Sequence, residues 1–327
     1  MQSIYSIPPE WAPHEATWLQ WPKGEERFLA PAFCEIVRAL KGRETVRLIV
    51  SDARVQRQAE AALISAGVGT DSVEFYPIPT DWCWCRDTGP MFALELGRLV
   101  ALDWPFNGWG DPDCPHAKDD AVPQRVARAL GVDRIRLSLV AEGGAMELNG
   151  AGAMIASEPC FHHRNPSTSR AEMDGYLKGK LQVEKILWLR SFPQDDMTRG
   201  HPDGIARFIN ESTIAVGEML DKADADYPVF EDAASVASAA GFSVVRVPIP
   251  GRWEGMAANY MNWYVANDVV LVGTFEREEF DKQGISSVAA RFPERKAIGI
   301  DVRLLWRRGG GVHCVTQQQP SIRKNLS

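Results

Sequence analysis

The amino-acid sequence predicts an α/β fold assembled from one repeated unit, strand-strand-helix-strand, with the units closed into a ring. Three observations carry this. A helical stretch followed by an apolar strand recurs about five times, roughly every 55 to 65 residues. Further strand candidates fall between those pairs, where a single parallel doubly wound sheet would not place them. No low-complexity linker divides the 327 residues, so the chain reads as one domain, 1–327.

The elements follow in order. Residues 46–50 are an apolar run suited to a buried strand, and 53–65 form an amphipathic helix stopped by Gly67. Residues 73–78 are again strand-like. A helix over 119–130 ends at Gly131 and precedes a strand over 135–140. Ser167, Thr168 and Ser169 offer N-caps for a helix reaching Leu181, with a strand at 186–189. A helix over 227–240 stops at Gly241 before a strand at 242–247. A last helix over 276–292 leads to a strand at 297–302. The extra strand candidates are 93–102, 153–157, 205–216 and 261–271.

Bulk properties narrow the function. A net charge of −7 argues against a nucleic-acid binder and is compatible with a cationic substrate. Residues 1–9 lack a basic segment and an apolar run, so no signal peptide is expected. No stretch reaches the ~18 apolar residues of a membrane span. The six cysteines, at 34, 83, 85, 114, 160 and 314, form no metal-like pair of pairs. Cys83 and Cys85 are separated by one residue, short for a zinc knuckle. A reduced, cytoplasmic protein accounts for them most simply. The expected partner is a small molecule, with a second copy of the chain in a homodimer as the macromolecular one.

Four segments are rich in reactive groups beside glycine. They are 81–90 (Asp-Trp-Cys-Trp-Cys-Arg-Asp-Thr-Gly-Pro), Glu142-Gly143-Gly144, Gly200-His201-Pro202-Asp203-Gly204, and the cysteine loop from Gly309 to Pro320. Loops on a rigid scaffold concentrate catalytic groups. Taken singly, each has a plain alternative. Cys314 could be a structural thiol at a turn, Asp87 a helix cap or partner of Arg86, Glu142 a turn residue, His201 a surface histidine, and Trp82 and Trp84 core. Gly150-Ala151-Gly152 has the glycines of a dinucleotide loop, but a strand follows it rather than a helix. His162 and His163 near Cys160 fit a surface pair better than a metal site.

Taken together the segments resemble one family, the guanidine-modifying enzymes, and in their motifs agmatine deiminase and the related bacterial peptidylarginine deiminases. The resemblance opens at Pro9-Glu10-Trp11-Ala12-Pro13-His14-Glu15-Ala16-Thr17-Trp18. It continues through Trp84-Cys85-Arg86-Asp87-Thr88-Gly89-Pro90, Glu142-Gly143-Gly144, Arg164-Asn165-Pro166 and His201-Pro202-Asp203. It closes at His313-Cys314-Val315-Thr316-Gln317-Gln318. It implies a five-bladed α/β propeller of ββαβ units with pseudo-fivefold symmetry and the site on the axis. It also implies a deiminase that releases ammonia from a small guanidine and leaves a ureido product, without metal or organic cofactor.

The chemistry suits those residue types. A guanidinium is planar and cationic, and two carboxylates can hold its N–H groups in paired hydrogen bonds. By resemblance these are Asp87 and Asp203. Cys314 would attack the central carbon, His201 would serve as acid and then base, and Glu142 would orient His201. Trp84, Gly311, Met197 and Arg199 are the expected substrate contacts. The pattern breaks at two of them. Met197 stands where the family has a glutamate, and Arg199 where it has an aspartate; Glu147-Leu148-Asn149-Gly150 and Gly204 also depart. Agmatine ends in an ammonium, so these losses leave arginine, an arginine derivative or a guanidino acid as alternatives. An amidinotransferase, a non-catalytic binding protein and a zinc protein using Cys83, Cys85 and His116 are the competing classes.

Overall fold

The computed structural model describes residues 5–322. Five of its sheets share one wiring: two strands pair antiparallel, and the second pairs parallel with a third that the chain reaches through a helix. In the first complete unit these are Met91–Glu95, Arg98–Asp103 and Asp133–Arg136, with the helix Val122–Leu130. The next has Met146–Leu148, Ala153–Ser157 and Lys185–Leu189, crossing through Glu158–Arg164 and Arg170–Lys180. The third has Ala206–Asn210, Thr213–Met219 and Ser243–Ile249, with Tyr227–Ala239. The fourth has Tyr264–Ala266, Val269–Thr274 and Lys296–Asp301, with Glu278–Ala289.

The fifth sheet joins the two ends of the chain. Thr316–Pro320 pairs antiparallel with His14–Gln20, which runs parallel to Thr45–Val50 and through it to Val73–Pro77. The helices Ala30–Leu40 and Ala53–Ser65 make these crossovers. A two-residue strand, Tyr5–Ser6, edges the Met91–Glu95 sheet, and a small hairpin, Arg252–Trp253 with Met256–Ala257, stands apart.

Local chemistry explains where elements begin and end. The Asp52 side chain accepts the Arg54 and Val55 amides and starts its helix. Ser169 and Glu172 form a reciprocal capping box, the last of the three N-caps expected there. Gly131, at φ 67°, ends Val122–Leu130 in the left-handed region. Strands covered by helices read as unbroken apolar runs, as in Val269, Val270, Leu271 and Val272, all fully buried.

Three expected long strands are hairpins instead. Residues 93–102 turn at Leu96 and Gly97 (φ 51° and 79°), 205–216 at Glu211 and Ser212, and 261–271 at Asn267 and Asp268. A two-residue turn costs the apolar alternation almost nothing, so periodicity runs across it. The strand expected at 135–140 is displaced to Asp133–Arg136, and the helices expected over 119–130 and 276–292 are shorter, at Val122–Leu130 and Glu278–Ala289. The helix Ala30–Leu40 and the strands His14–Gln20 and Thr316–Pro320 were not foreseen as elements. Among the described residues no helix is long and apolar enough to cross a membrane.

One buried group works against the fold. Glu26, on the short turn Gly24–Leu29, is 2 % exposed, and neither carboxyl oxygen accepts a well-formed hydrogen bond. Burial pushes its pKa up to about 7, with Cys83, Arg308 and Lys23 offsetting part of the effect. The folded chain thus holds a proton that the unfolded chain releases from about pH 4.5 upward, so stability declines between about pH 4.5 and 7 and the full cost stands above 7. Glu26→Gln is expected to stabilise the protein by about 1–3 kcal/mol at pH 8 and to change little at pH 4.5. Urea denaturation at the two pH values checks this; equal stabilisation at both would refute the cause given.

Candidate active site

Each of the five units places reactive groups just before its first strand. The short helix Cys85–Thr88 precedes Met91–Glu95 and carries Asp87. Glu142 stands at the head of the turn Gly143–Ala145, before Met146–Leu148. His201 heads the turn Pro202–Gly204, which holds Asp203, before Ala206–Asn210. Asn262 lies two residues before Tyr264–Ala266. Cys314 lies on the turn Val312–Val315 that leads into Thr316–Pro320. The tight turns are what bring these side chains to one centre.

There the structure brings together the five residues the sequence singled out as catalytic. The Cys314 sulfur lies 3.7 Å from Asp203 Oδ2. His201 Nδ1 is 3.7 Å from Asp87 Oδ1, and its Nε2 is 3.4 Å from Glu142 Oε2. Asp87 accepts the Trp109 indole N–H at 2.8 Å and the Gly144 amide at 3.1 Å. Glu142 accepts Arg164 Nε at 2.6 Å. A Cβ on Gly144 would meet His201 Nδ1 at 2.4 Å and Asp87 Oδ1 at 2.7 Å, so glycine is required between them.

The charges are set by burial and by these partners. Burial would raise the Glu142 carboxyl, but the hydrogen bonds and charges of His201 and Arg164 hold it at about 2. His313 likewise holds Asp203 at about 2 against burial. Asp87 is pushed up by burial and by the Glu142 and Asp203 charges, which His201 and Trp109 only partly oppose. Burial would lower the proton affinity of His201, yet Asp87, Cys160 and Glu142 keep it well above the ordinary histidine value. Cys314 is raised well above an ordinary thiol by burial and by Asp203 and Asp87, with the Gly311 amide and Asn262 in opposition. With nothing bound, the sulfur is therefore a thiol facing two carboxylates.

Two cavities meet at Cys314. The smaller, about 110 Å³, is lined by Asp195, Asp196, Asp203, Asp226, His201 and Trp306 among others. The larger, about 690 Å³, is lined by Trp82, Trp84, Asp87, Trp109, Met197, Arg307 and Arg308. The expected contacts Trp84 and Met197 thus face the larger cavity. Gly311 lies against Asn262, where a Cβ would meet Oδ1 at 2.5 Å. Arg199 is placed differently: it is exposed, at φ 65°, and lines neither cavity. It is near enough to His163 to lower that residue's pKa, after burial.

Other groups were not foreseen. Asn262 Nδ2 donates to the Cys314 sulfur at 3.3 Å, while its Oδ1 accepts the His313 amide at 3.0 Å. His313 bridges Asp203 (Nδ1, 2.7 Å) and Glu10 (Nε2, 2.8 Å). Glu10 also accepts Arg86 and Arg207 at 3.3 and 3.1 Å and the Val265 amide at 2.7 Å. No sequence signal marks Asn262; His313 and Glu10 stood inside quoted motifs without a role. Gly150-Ala151-Gly152 is a hairpin turn into Ala153–Ser157, as its sequence suggested. Cys83, Cys85 and His116 do not converge: His116 Nδ1 meets the Cys114 carbonyl, and among the described residues the sole metal-competent trio is Glu142, Cys160 and His201.

Comparison with known proteins gives a consistent picture. Residues 6–320 match the Porphyromonas-type peptidyl-arginine deiminase family. The agmatine deiminase of Medicago truncatula is 28% identical over 369 residues, covering 97% of this chain and 97% of that protein. That of Ectopseudomonas mendocina is 29% identical, covering 97% and 96%. A cysteine-to-serine variant of agmatine deiminase from C. jejuni, solved with substrate bound, superposes with a TM-score of 0.88 at 26% identity over 97% of this chain and 96% of that one. The agmatine deiminase of Enterococcus faecalis gives 0.87 at 26% identity, over 98% and 97%.

The His313 bridge generates a prediction. His313→Ala leaves the buried Asp203 and Glu10 carboxylates without their shared partner. Breaking a buried charged pair from one side costs about 3–5 kcal/mol. The variant is expected to lose stability of that order in chemical denaturation, with Asp203 no longer held in place. A loss under about 0.5 kcal/mol would show that the bridge is idle.

Proposed function

The chain belongs to the Porphyromonas-type peptidyl-arginine deiminase family, hydrolases of amidine-type C–N bonds, and on that premise we propose that it deiminates a small guanidine through a covalent cysteine intermediate, with agmatine, yielding N-carbamoylputrescine, as the favoured substrate. The observation that carries the reading is the convergence of Cys314, His201, Glu142, Asp87 and Asp203 at the meeting of two cavities. We further propose that the five units close into a single propeller with pseudo-fivefold symmetry. Its support is the shared wiring, the pairing of the last strand with His14–Gln20, and the site segment before each first strand.

In this mechanism the guanidinium lies between Asp87 and Asp203, which hold its N–H groups in paired hydrogen bonds. The bound cation cancels the carboxylate charges that keep Cys314 protonated, so binding itself favours the thiolate, its proton passing to solvent and being regained when the sulfur leaves as a thiol. The sulfur adds to the guanidinium carbon, with the Gly311 amide and Asn262 beside it. His201, kept cationic by Asp87 and Glu142, gives its proton to the departing nitrogen, which leaves as ammonia. A thiouronium remains on Cys314. The now neutral His201 takes a proton from water, water oxygen bonds to the carbon, and the sulfur leaves, giving the ureido product.

The substrate tail follows from charge. Asp195, Asp196 and Asp226 line the smaller cavity against one guanidinium, Arg252, which pairs with Asp195 and Asp226. That surplus of negative charge favours an ammonium-ended guanidine. One observation favours the alternative of arginine, an arginine derivative or a guanidino acid. Arg308 lines the larger cavity with no carboxylate at ion-pair distance among the described residues, whereas Arg307 is held by Glu254. Arg199 has no part in either reading.

Two experiments test this. Cys314→Ala is expected to lose about three orders of magnitude or more in kcat while still binding guanidines; ammonia and ureido product are measured together. Turnover within about tenfold of the parent removes the covalent mechanism. In a substrate panel, agmatine is expected to exceed guanidinobutyrate in kcat/KM by about tenfold or more, and Arg199→Asp to leave that ratio within about twofold. A strong preference for guanidinobutyrate that Arg308→Ala abolishes would move the assignment to a guanidino acid.

A further inference from the structure

Glu142 offers its two oxygens unequally. Oε1 is taken by Arg164 Nε at 2.6 Å. Oε2 faces two groups, His201 Nε2 at 3.4 Å, long for a nitrogen–oxygen hydrogen bond, and the Cys160 thiol, which donates at 3.5 Å. All three ligand atoms lie within 4.8 Å of one another, and all three residues are buried. A four-coordinate zinc, with nitrogen and oxygen at about 2.0–2.1 Å and sulfur at about 2.3 Å, spaces its donors about 3.3–3.6 Å apart. The two separations from Glu142 Oε2 match edges of that tetrahedron, and the third, between Cys160 Sγ and His201 Nε2, lies within 4.8 Å.

The surroundings match as well. Behind the histidine, Asp87 Oδ1 stands 3.7 Å from Nδ1, too far for a hydrogen bond but a carboxylate on the side away from the trio. Arg164 fixes the carboxylate, leaving its second oxygen toward the centre. Of the three residues, His201 lines the smaller cavity. Cys160 neither touches the substrate nor moves a proton in the proposed deimination, so its thiol is open to a ligand role.

We propose that Cys160, Glu142 and His201 form a regulatory site for a thiophilic divalent cation, zinc foremost, whose occupation switches the enzyme off. Binding exchanges the Cys160 thiol proton, and the proton on His201 where it is present, for the ion; water fills the fourth position. An ion there occupies His201 Nε2 and Glu142 and stops the histidine from cycling its proton. The inhibition, though not the binding, rests on the role assigned to His201 above.

The test uses the full chain stripped with a chelator and titrated with Co²⁺ as a spectroscopic probe. One equivalent is expected to give thiolate-to-cobalt charge-transfer and tetrahedral d–d absorption. The band is expected to vanish in Cys160→Ser and to persist in Cys314→Ser. Absence of a stoichiometric band in the parent chain, or a band that follows Cys314, overturns the site. If Cys160→Ser does not fold by circular dichroism, Glu142→Gln serves instead and must weaken Co²⁺ binding by about tenfold or more. In turnover assays Zn²⁺ is expected to inhibit reversibly with chelator, and Cys160→Ser to need about tenfold more of it. A Cys160-dependent band without inhibition would uphold the site and overturn the role given to His201.

Discussion

The carboxylate of Glu10 is the constraint on which the centre of this molecule depends. It is buried, and it accepts from Arg86, Arg207 and the Val265 amide while bridging to His313. Those partners come from four of the five repeated units, and Glu10 itself precedes His14–Gln20. Arg207, 1 % exposed, extends the network to Glu147 and to the Trp263 carbonyl, with its guanidinium 5.0 Å from the Trp263 ring. Burial alone would raise the Glu10 carboxyl, but Arg207, His313 and Arg86 hold it well below the usual range. Such a network stabilises little against an apolar core of the same shape, yet removing one member strands the others. Its effect is to fix the relative placement of the units, and through His313 it reaches the site itself.

The second consequence is electrostatic. Gathering Asp87, Glu142 and Asp203 in one buried volume is costly unless a cation joins them. His201 and Arg164 neutralise Glu142, and His313 answers Asp203, but Asp87 stays raised and Cys314 stays protonated. A cation placed beside Asp87 and Cys314 would relieve both, and in the proposed reaction the guanidinium does so. The same imbalance makes the nucleophile conditional in the proposed reaction: the thiol ionises readily only when its substrate is in place, which protects it from adventitious chemistry between turnovers.

How much of this was legible in the sequence depends on the distance over which a partner acts. Asp87, Glu142, His201, Asp203 and Cys314 stood in glycine-bordered segments whose local chemistry is visible, and the repeated helix-strand pairs were visible through periodicity. The ends of the long apolar segments were not, because turns such as Leu96-Gly97 interrupt an alternating pattern for two residues only. His313 and Glu10 are 303 residues apart, and neither has a local signal naming the other. Asn262 sits in a run, 259–262, with no motif, and its meaning lies in a sulfur 52 residues away. Arg199 is the opposite case. Its charge drew attention, but a left-handed backbone beside Gly200 turns the segment so that Thr198 and Met197, not Arg199, line the cavities.

The repetition of the fold bears on how such a site can vary. Each unit offers one short turn before its first strand, and the five turns carry an aspartate, a glutamate, a histidine with an aspartate, an asparagine and a cysteine. The position relative to the strand is the same each time, while the local backbone and the side chain differ. A change at Asn262 can alter chemistry without touching strand pairing, which is satisfied within each unit, whereas a change at Glu142 strands the buried Arg164. His313 goes further, because its ring belongs to the site through Asp203 and to the central network through Glu10. Function and stability are thus joined at the segment that carries the nucleophile.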